Sequence, residues 1–120
     1  MKFRETTTSG GALPWLLQRI SGVYLAVILL IHVINLHVLI GGELTYAAIA
    51  ERVATPLWKT INISFLIVAL FHGLYGLWIV LDDYIHKGWM RILIYGGIAA
   101  IALMFGIYGT LTMITFQYGG

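Results

Sequence analysis

Three long apolar segments limit what this chain can fold into more than any other feature of the sequence. They cover roughly Leu13–Ile40, Pro56–Leu81 and Met90–Phe116, and each exceeds the ~20 residues with which an α-helix crosses a bilayer. Of the 120 residues, 60% are hydrophobic and 10% are charged, whereas about a quarter are charged in a soluble domain. We therefore predict an all-α membrane protein with three transmembrane helices, forming one membrane domain over residues 1–120 without a soluble domain.

The net charge and the absence of cysteine limit which partners and metal ligands the chain can have. The net charge of +2 comes from a few basic residues near the helix ends, so it gives no indication of a nucleic-acid partner. The chain contains no cysteine, so a metal centre held here would use histidine or be held jointly with a partner chain. The first apolar segment is longer than the ~15 residues of a signal-peptide core, and we expect it to be a retained span.

Basic residues predict the topology. Five of the seven lysines and arginines flank the first span's beginning or the connection between the second and third spans: Lys2, Arg4, Arg19, Lys87 and Arg91. Arg52 and Lys59 fall on the opposite side. Because basic connections stay in the cytoplasm, we predict a cytoplasmic N-terminus and an external C-terminus.

The other segments have simpler roles. Between the first two spans, the segment Glu43–Thr55 predicts a short amphipathic helix at the outer surface.

The third span is rich in small residues, which let helix backbones approach closely in a membrane. These are Gly96, Gly97, Ala99, Ala100, Ala102, Gly106 and Gly109. We expect this span to pack tightly on its neighbours.

One histidine, His72, lies near the middle of the second span. An imidazole in hydrocarbon is unfavourable without a partner, so it marks a functional site by default. Neutral imidazole is a common iron ligand, and helical bundles hold haem between facing helices. Gly76, on the same face, has no side chain and predicts room for a flat macrocycle. The alternative is a structural hydrogen bond to a neighbouring helix, and the residues alone favour neither.

The same helix ends on Asp82, Asp83 and Tyr84, which lie 10 to 12 residues beyond His72, about 15–18 Å along a helix. A phenol can hydrogen-bond a carbonyl oxygen at the membrane surface, and an adjacent carboxylate can orient it or pass protons. The spacing suits a redox relay. Tyrosines and aspartates also end spans without any chemical role, and residue chemistry alone favours that plainer interpretation.

The first span carries further polar residues. Arg19 either snorkels to the interface or pairs with an anionic group such as a haem propionate or a lipid phosphate. His32 lies 13 residues further on, about 20 Å deeper, in the predicted outer half. It either ligates a second haem or forms hydrogen bonds within the bundle. His37 is close enough to the surface to be an interfacial residue.

Together these residues closely resemble the membrane-anchor D subunit of succinate dehydrogenase, respiratory complex II. The resemblance rests on three spans, on Arg19 and Ser21 opening the first, and on the second-span motif HxxxGLWxVLxDY at residues 72–84. The segment Gly42–Tyr46 also looks like that family's outer loop. The resemblance covers essentially the whole chain from Leu16 to Phe116.

The resemblance implies partners and cofactors that the spacing does not reveal. In this family the D anchor forms half of a heterodimeric helical bundle with a similar C-type anchor. The pair docks an iron–sulfur subunit and a flavoprotein subunit on the cytoplasmic face of a prokaryotic inner membrane. Electrons from succinate pass to ubiquinone or menaquinone, and haem b lies between the anchors. The chain would then be a subunit outside the catalytic core of a succinate:quinone oxidoreductase.

The resemblance also implies roles for individual residues. His72 matches the axial haem ligand, and Arg19 matches the arginine near the haem propionates. Tyr84 matches the tyrosine that hydrogen-bonds the quinone head, with Asp83 as its neighbour. His32 departs from single-haem members and looks like the two-haem forms, in which the first helix also supplies a ligand. The sequence therefore predicts one haem b or two.

Three rival functions stay open. The chain could instead be the anchor of a quinol:fumarate reductase, which catalyses the reverse reaction. The residues do not indicate the direction of the reaction. A non-redox membrane scaffold would use His72 structurally and Tyr84 as an interfacial residue. A small transporter subunit is disfavoured because the sequence shows no pair of broken helices at mid-membrane.

Overall fold

The computed structural model describes residues 11–39 and 45–119. Four α-helices occupy these stretches: α1 (Ala12–Ile34), α2 (Tyr46–Val53), α3 (Pro56–Tyr84) and α4 (Gly88–Thr115). A π-helical turn over Asn35–Leu39 extends α1. The extended α1, α3 and α4 are each long and apolar enough to cross a membrane, and the described residues contain no strand. The predicted all-α class with three spans is confirmed, whereas the predicted orientation in the membrane stays a prediction.

The ends of the spans fall close to their predicted positions. The apolar stretch of the second span ends at Leu81, and its helix continues through Asp82 and Asp83 to Tyr84, as the sequence predicts. It closes with a hydrogen bond from the Ile85 amide to the Leu81 carbonyl at 2.8 Å. The third span begins at Gly88, two residues before its predicted start. Ile40, the predicted last residue of the first span, lies outside the described residues.

Threonine caps begin two of the helices. The amphipathic segment predicted between the first two spans contains α2, and the part of it before Thr45 lies outside the described residues. The Thr45 hydroxyl accepts a hydrogen bond from the Ala48 amide at 3.2 Å. The Thr55 hydroxyl accepts one from the Trp58 amide at 3.4 Å, and Pro56 occupies the first position of α3, where a missing N–H does no harm.

The three spans pack antiparallel, in the order α1, α3, α4, with α3 in contact with both of its neighbours. One end of the bundle carries α2 and the last residues of α4; we call it the α2 end. The opposite end carries the start of α1 and the α3–α4 connection at 85–87; we call it the connection end. At the α2 end, the Lys59 ammonium donates hydrogen bonds to the carbonyls of Ile114 and Phe116. These carbonyls lie at the C-terminus of α4, where a cation is favoured.

Burial is inverted relative to a soluble protein. Two of the few buried side chains among the described residues are polar, Ser21 and Asn35, and the buried hydrophobic residue is the small Ala50. Large apolar side chains cover the outside of all three spans. This distribution is expected where lipid or other apolar helices form the surroundings, because the bilayer interior solvates hydrocarbon as well as a protein core does.

Polar contacts join α1 to α3 along much of their length. The Tyr24 and Ser64 hydroxyls are in hydrogen-bond contact, and the His32 imidazole contacts the Asn62 amide at 2.7 Å. Near the connection end, the Gln18 amide donates to the His72 carbonyl at 3.1 Å. These pairs fix the register of the two helices.

Small residues bring α4 against α3, as predicted, but only at one end of the span. Gly106 is buried, and a Cβ placed there would lie 2.3 Å from Leu70 Cδ1. A Cβ at Gly109 would lie 3.1 Å from Leu66 Cδ2. An added Cβ at Gly97, by contrast, would meet no atom outside its own helix within 4 Å in the described structure. The described part of this chain therefore packs nothing against that face of α4.

A side chain at Gly106 should separate α3 from α4. We expect Gly106→Val to lower the stability of the assembled protein by about 1–3 kcal/mol, the usual cost of overpacking. Leu70→Ala removes the atoms that the valine side chain would meet. The double variant Gly106→Val/Leu70→Ala should therefore lose less stability than the two single variants lose together. Thermal unfolding of the purified complex measures both. Equal effects of Gly106→Val and Gly97→Val would contradict this packing.

Candidate functional site

A polar cluster surrounds His72 in the middle of the α1–α3 contact. The His72 Nδ1 atom lies 2.9 Å from the Ser21 hydroxyl, and the same hydroxyl donates to the Gln18 carbonyl at 2.9 Å. Ser21 is only 7% exposed, so water does not compete freely for it. Gln18 closes the cluster through its own amide donation to the His72 backbone. The imidazole is therefore held on one side by Ser21, while Gln18 binds the His72 backbone.

These contacts assign the proton of His72. A serine hydroxyl carries a single proton, and in Ser21 that proton is donated to the Gln18 carbonyl. The contact with the imidazole is then an N–H donated by His72 Nδ1 to the Ser21 oxygen. A neutral imidazole protonated at Nδ1 has its lone pair at Nε2. This is the state that a metal-binding histidine requires, since the second nitrogen is usually oriented by a hydrogen bond.

Glycines let α1 and α3 approach around this cluster. A Cβ at Gly22 would lie 3.2 Å from His72 Cε1, and one at Gly76 would lie 3.2 Å from Gln18 Nε2. The expectation that Gly76 leaves room for a macrocycle is therefore wrong in this structure, because Gln18 fills that space. The open position is Gly73, beside His72. An added Cβ there would meet nothing within 4 Å in the described structure apart from its chain neighbours and the backbone of its own helix.

One atom of the cluster has no partner. The Gln18 Oε1 atom is buried and makes no hydrogen bond within the described part of the chain. A buried acceptor without a donor is unfavourable by roughly 1–3 kcal/mol. Its position next to His72 indicates that a donor from outside this chain, or a water, completes the cluster.

Arg19 lies on a different face of α1. Its guanidinium carbon stacks 5.2 Å from the centroid of the Trp15 ring, and the residue is exposed on the helix surface. No contact between Arg19 and His72 is found among the described residues. Arg19 is the predicted functional residue of the segment 18–22, whereas Gln18 and Ser21 are the residues that contact the histidine in the structure. The available signal was their spacing of three, which places both on one helix face.

His32 is engaged at both ring nitrogens. Nδ1 lies 2.8 Å from the Ile28 carbonyl and Nε2 lies 2.7 Å from the Asn62 amide oxygen. The ring also packs between Trp58 and Phe65, with centroid separations of 5.9 and 5.5 Å. In this conformation neither nitrogen is available to a metal. His37 is exposed and bonds through Nδ1 to its own helix, at the Val33 carbonyl.

The connection end separates the two neighbouring aspartates. Asp82 forms an ion pair with Arg91, whose guanidinium carbon lies 5.7 Å from the centroid of the Trp78 ring. Asp83 and Tyr84 are exposed, and Tyr84 is 80% accessible. Neither makes a side-chain hydrogen bond with the rest of the described structure. Asp82 thus holds the corner between α3 and α4, while Asp83 and Tyr84 project away from the chain and are accessible to a ligand or a partner.

No three histidine, cysteine or carboxylate side chains cluster anywhere in the described ranges. A metal at His72 would therefore take its remaining ligands from a macrocycle or from another chain. The fold and this site together define a multi-pass helical membrane protein with one oriented imidazole inside the bundle and an exposed tyrosine–carboxylate pair at one end.

Comparison with known proteins agrees with that class. The model of the succinate dehydrogenase/fumarate reductase transmembrane subunit matches residues 5–115, so the chain belongs to this family. It is 34% identical over 71 residues to a succinate dehydrogenase hydrophobic membrane anchor subunit of Archaeoglobus fulgidus, covering 59% of this chain and 61% of that protein. It is 30% identical over 78 residues to succinate dehydrogenase 2 membrane subunit SdhC of Mycobacterium tuberculosis, covering 65% of this chain and 57% of that protein. The matched regions thus span about three fifths of the relatives' length.

Proposed function

We propose that this chain is a D-type anchor that binds haem b and quinone in a succinate dehydrogenase. It would pair with a C-type anchor to form a helical bundle in a prokaryotic inner membrane. The iron–sulfur subunit and the flavoprotein subunit would dock at the connection end, and electrons would pass from the iron–sulfur subunit to membrane quinone. The carrying observation is the orientation of His72, whose Nδ1 is held by the Ser21 hydroxyl at 2.9 Å.

The residues around His72 fit a haem. Ser21 orients the imidazole from one side, and the neighbouring Gly73 leaves open space at the helix surface. Haem supplies one-electron redox chemistry, with a potential set by its axial ligands and their hydrogen bonds. With Nδ1 held by Ser21, Nε2 would be the atom that binds iron, as in metal-binding histidines whose other nitrogen is oriented by a hydrogen bond. Arg19, exposed on α1, would reach a propionate carboxylate by turning away from Trp15.

Replacing His72 by alanine should remove an iron ligand, and we expect loss of most of the b-type haem from the purified complex. Ser21→Ala is the matched variant: it keeps the imidazole and should keep the haem while shifting its reduction potential. Pyridine haemochrome assays and redox titration measure the two effects, and subunit content reports assembly. A His72→Ala complex with the parental haem spectrum would show that the histidine is structural.

Tyr84 and Asp83 would form part of the quinone pocket. Both project from the end of α3 without a side-chain hydrogen bond in the described structure, so the phenol O–H is available to donate to a quinone carbonyl oxygen. The Asp83 carboxylate can orient that phenol or accept a proton. Asp82 is excluded from this role by its ion pair with Arg91, which instead fixes the position of the helix end.

Tyr84→Phe keeps the ring and removes the hydroxyl, so assembly should survive while quinone reduction falls. The lost hydrogen bond should weaken quinone binding by about 0.5–1.5 kcal/mol, or roughly 2- to 12-fold. Tyr108→Phe, at an exposed tyrosine of α4, is the control and should leave the kinetics unchanged. Steady-state succinate:quinone reductase assays measure this effect. If Tyr84→Phe showed the same quinone kinetics as the parent, Tyr84 would be only an interfacial anchor.

A second haem at His32 remains a prediction. Ligation would require His32 to give up its contact with Asn62. If two haems are present, His32→Ala should remove the component nearer the α2 end and leave the His72-dependent one, as counted by haemochrome assay and redox titration. Unchanged haem content with a single unaltered potential would assign His32 to the hydrogen bonds seen here.

A further inference from the structure

A second polar site lies at the α2 end of the bundle, apart from His72. A cavity of about 200 Å³ opens between α1, α2 and α3. Its wall includes Asn35, Arg52 and Trp58, together with the bonded pair His32 and Asn62. Asn35 lies 14 residues beyond Ser21 along the first span, a rise of about 21 Å. The cavity therefore lies near the membrane surface opposite the quinone-site residues.

Asn35 supplies an acceptor that the described part of the chain does not satisfy. The residue is 5% exposed, and its Oδ1 atom has no hydrogen-bond partner in the described structure. A buried amide oxygen in this state is unfavourable unless a donor reaches it from outside. Asn35 also begins the π-helical turn, a distortion that occurs frequently at functional sites.

Arg52 supplies a cation to the same cavity. The side chain extends from α2 and is half-buried, with its guanidinium carbon 5.6 Å from the centroid of the Trp58 ring. Its planar group offers several donors in a fixed arrangement, which suits a phosphate. No carboxylate is among the described residues that line the cavity. His32 and Asn62 contact each other, so the polar groups left for a ligand include the Arg52 guanidinium and the Asn35 amide.

We propose that this cavity binds the headgroup of phosphatidylglycerol. The phosphodiester would accept hydrogen bonds from Arg52, and a glycerol hydroxyl would donate to Asn35 Oδ1. An interfacial tryptophan and an amphipathic surface helix place the cavity at headgroup depth. Phosphatidylcholine has no headgroup donor, and the ammonium of phosphatidylethanolamine would be repelled by Arg52. This site does not depend on the haem at His72 or on quinone binding, whereas a second haem at His32 would break the His32–Asn62 pair in its wall.

The test compares two lipids that differ only in the proposed hydroxyl contact. Phosphatidylmethanol has the phosphodiester charge of phosphatidylglycerol but a methyl group in place of glycerol. Native mass spectrometry of the lipid-depleted whole complex, titrated with either lipid, measures binding. We expect the parent to prefer phosphatidylglycerol by about tenfold, the effect of leaving a buried acceptor unpaired. Asn35→Leu should abolish that preference, and Arg52→Gln should weaken both lipids by at least tenfold.

Matched controls separate this site from simpler explanations. Lys59→Gln removes another cation at the α2 end that does not line the cavity, and it should leave the lipid preference unchanged. Haem content should stay at the parental value in Arg52→Gln. If Asn35→Leu does not assemble, lipid binding is compared between Arg52→Gln and Lys59→Gln. Only Arg52→Gln should weaken it.

Three results would overturn the proposal. Equal binding of the two lipids by the parent would show that Asn35 does not recognise a headgroup hydroxyl. Displacement of the lipid by soluble glycerol phosphate would indicate a site for a small anion. Loss of haem in Arg52→Gln would show that the arginine serves a cofactor.

Discussion

The contact between α1 and α3 determines the rest of the structure. Two helices in lipid gain little from burying apolar surface against each other, so close approach and hydrogen bonds have to hold them. Gly22 and Gly76 permit the approach, and Gln18 and Ser21 provide the bonds to His72. Because the Ser21 bond also orients the imidazole, association of the two helices fixes the orientation of the His72 side chain.

Much of the fold could be predicted because the bilayer imposes it. Span length, apolar composition and the absence of long polar segments were enough to predict three helices, and Pro56 marked the beginning of α3. The helix was predicted to end on Asp82, Asp83 and Tyr84, beyond an apolar stretch that stops at Leu81, but the pairing of these residues was not predicted. In the structure both aspartates belong to the last helical turn, and Arg91 pairs with the first of them.

The details of the site were less predictable because they depend on which helix faces meet. Composition could not separate Asp82 from Asp83, and it could not show that Gly76 receives Gln18 instead of leaving a space. His32 was a candidate ligand for a second haem, and the residues could not show that Asn62, thirty positions away, occupies its Nε2 atom. Such pairings follow from the register of α1 against α3, which hydropathy does not encode.

The two hydrogen bonds of Lys59 have a consequence for biogenesis. Its acceptors belong to Ile114 and Phe116, so more than fifty residues must be synthesised after the lysine before it can be neutralised by the dipole of α4. Until then, the Lys59 ammonium lacks these acceptors and can reach only water at the end of the span. A chain truncated before residue 114 would therefore lack the contact by which Lys59 joins the beginning of α3 to the end of α4.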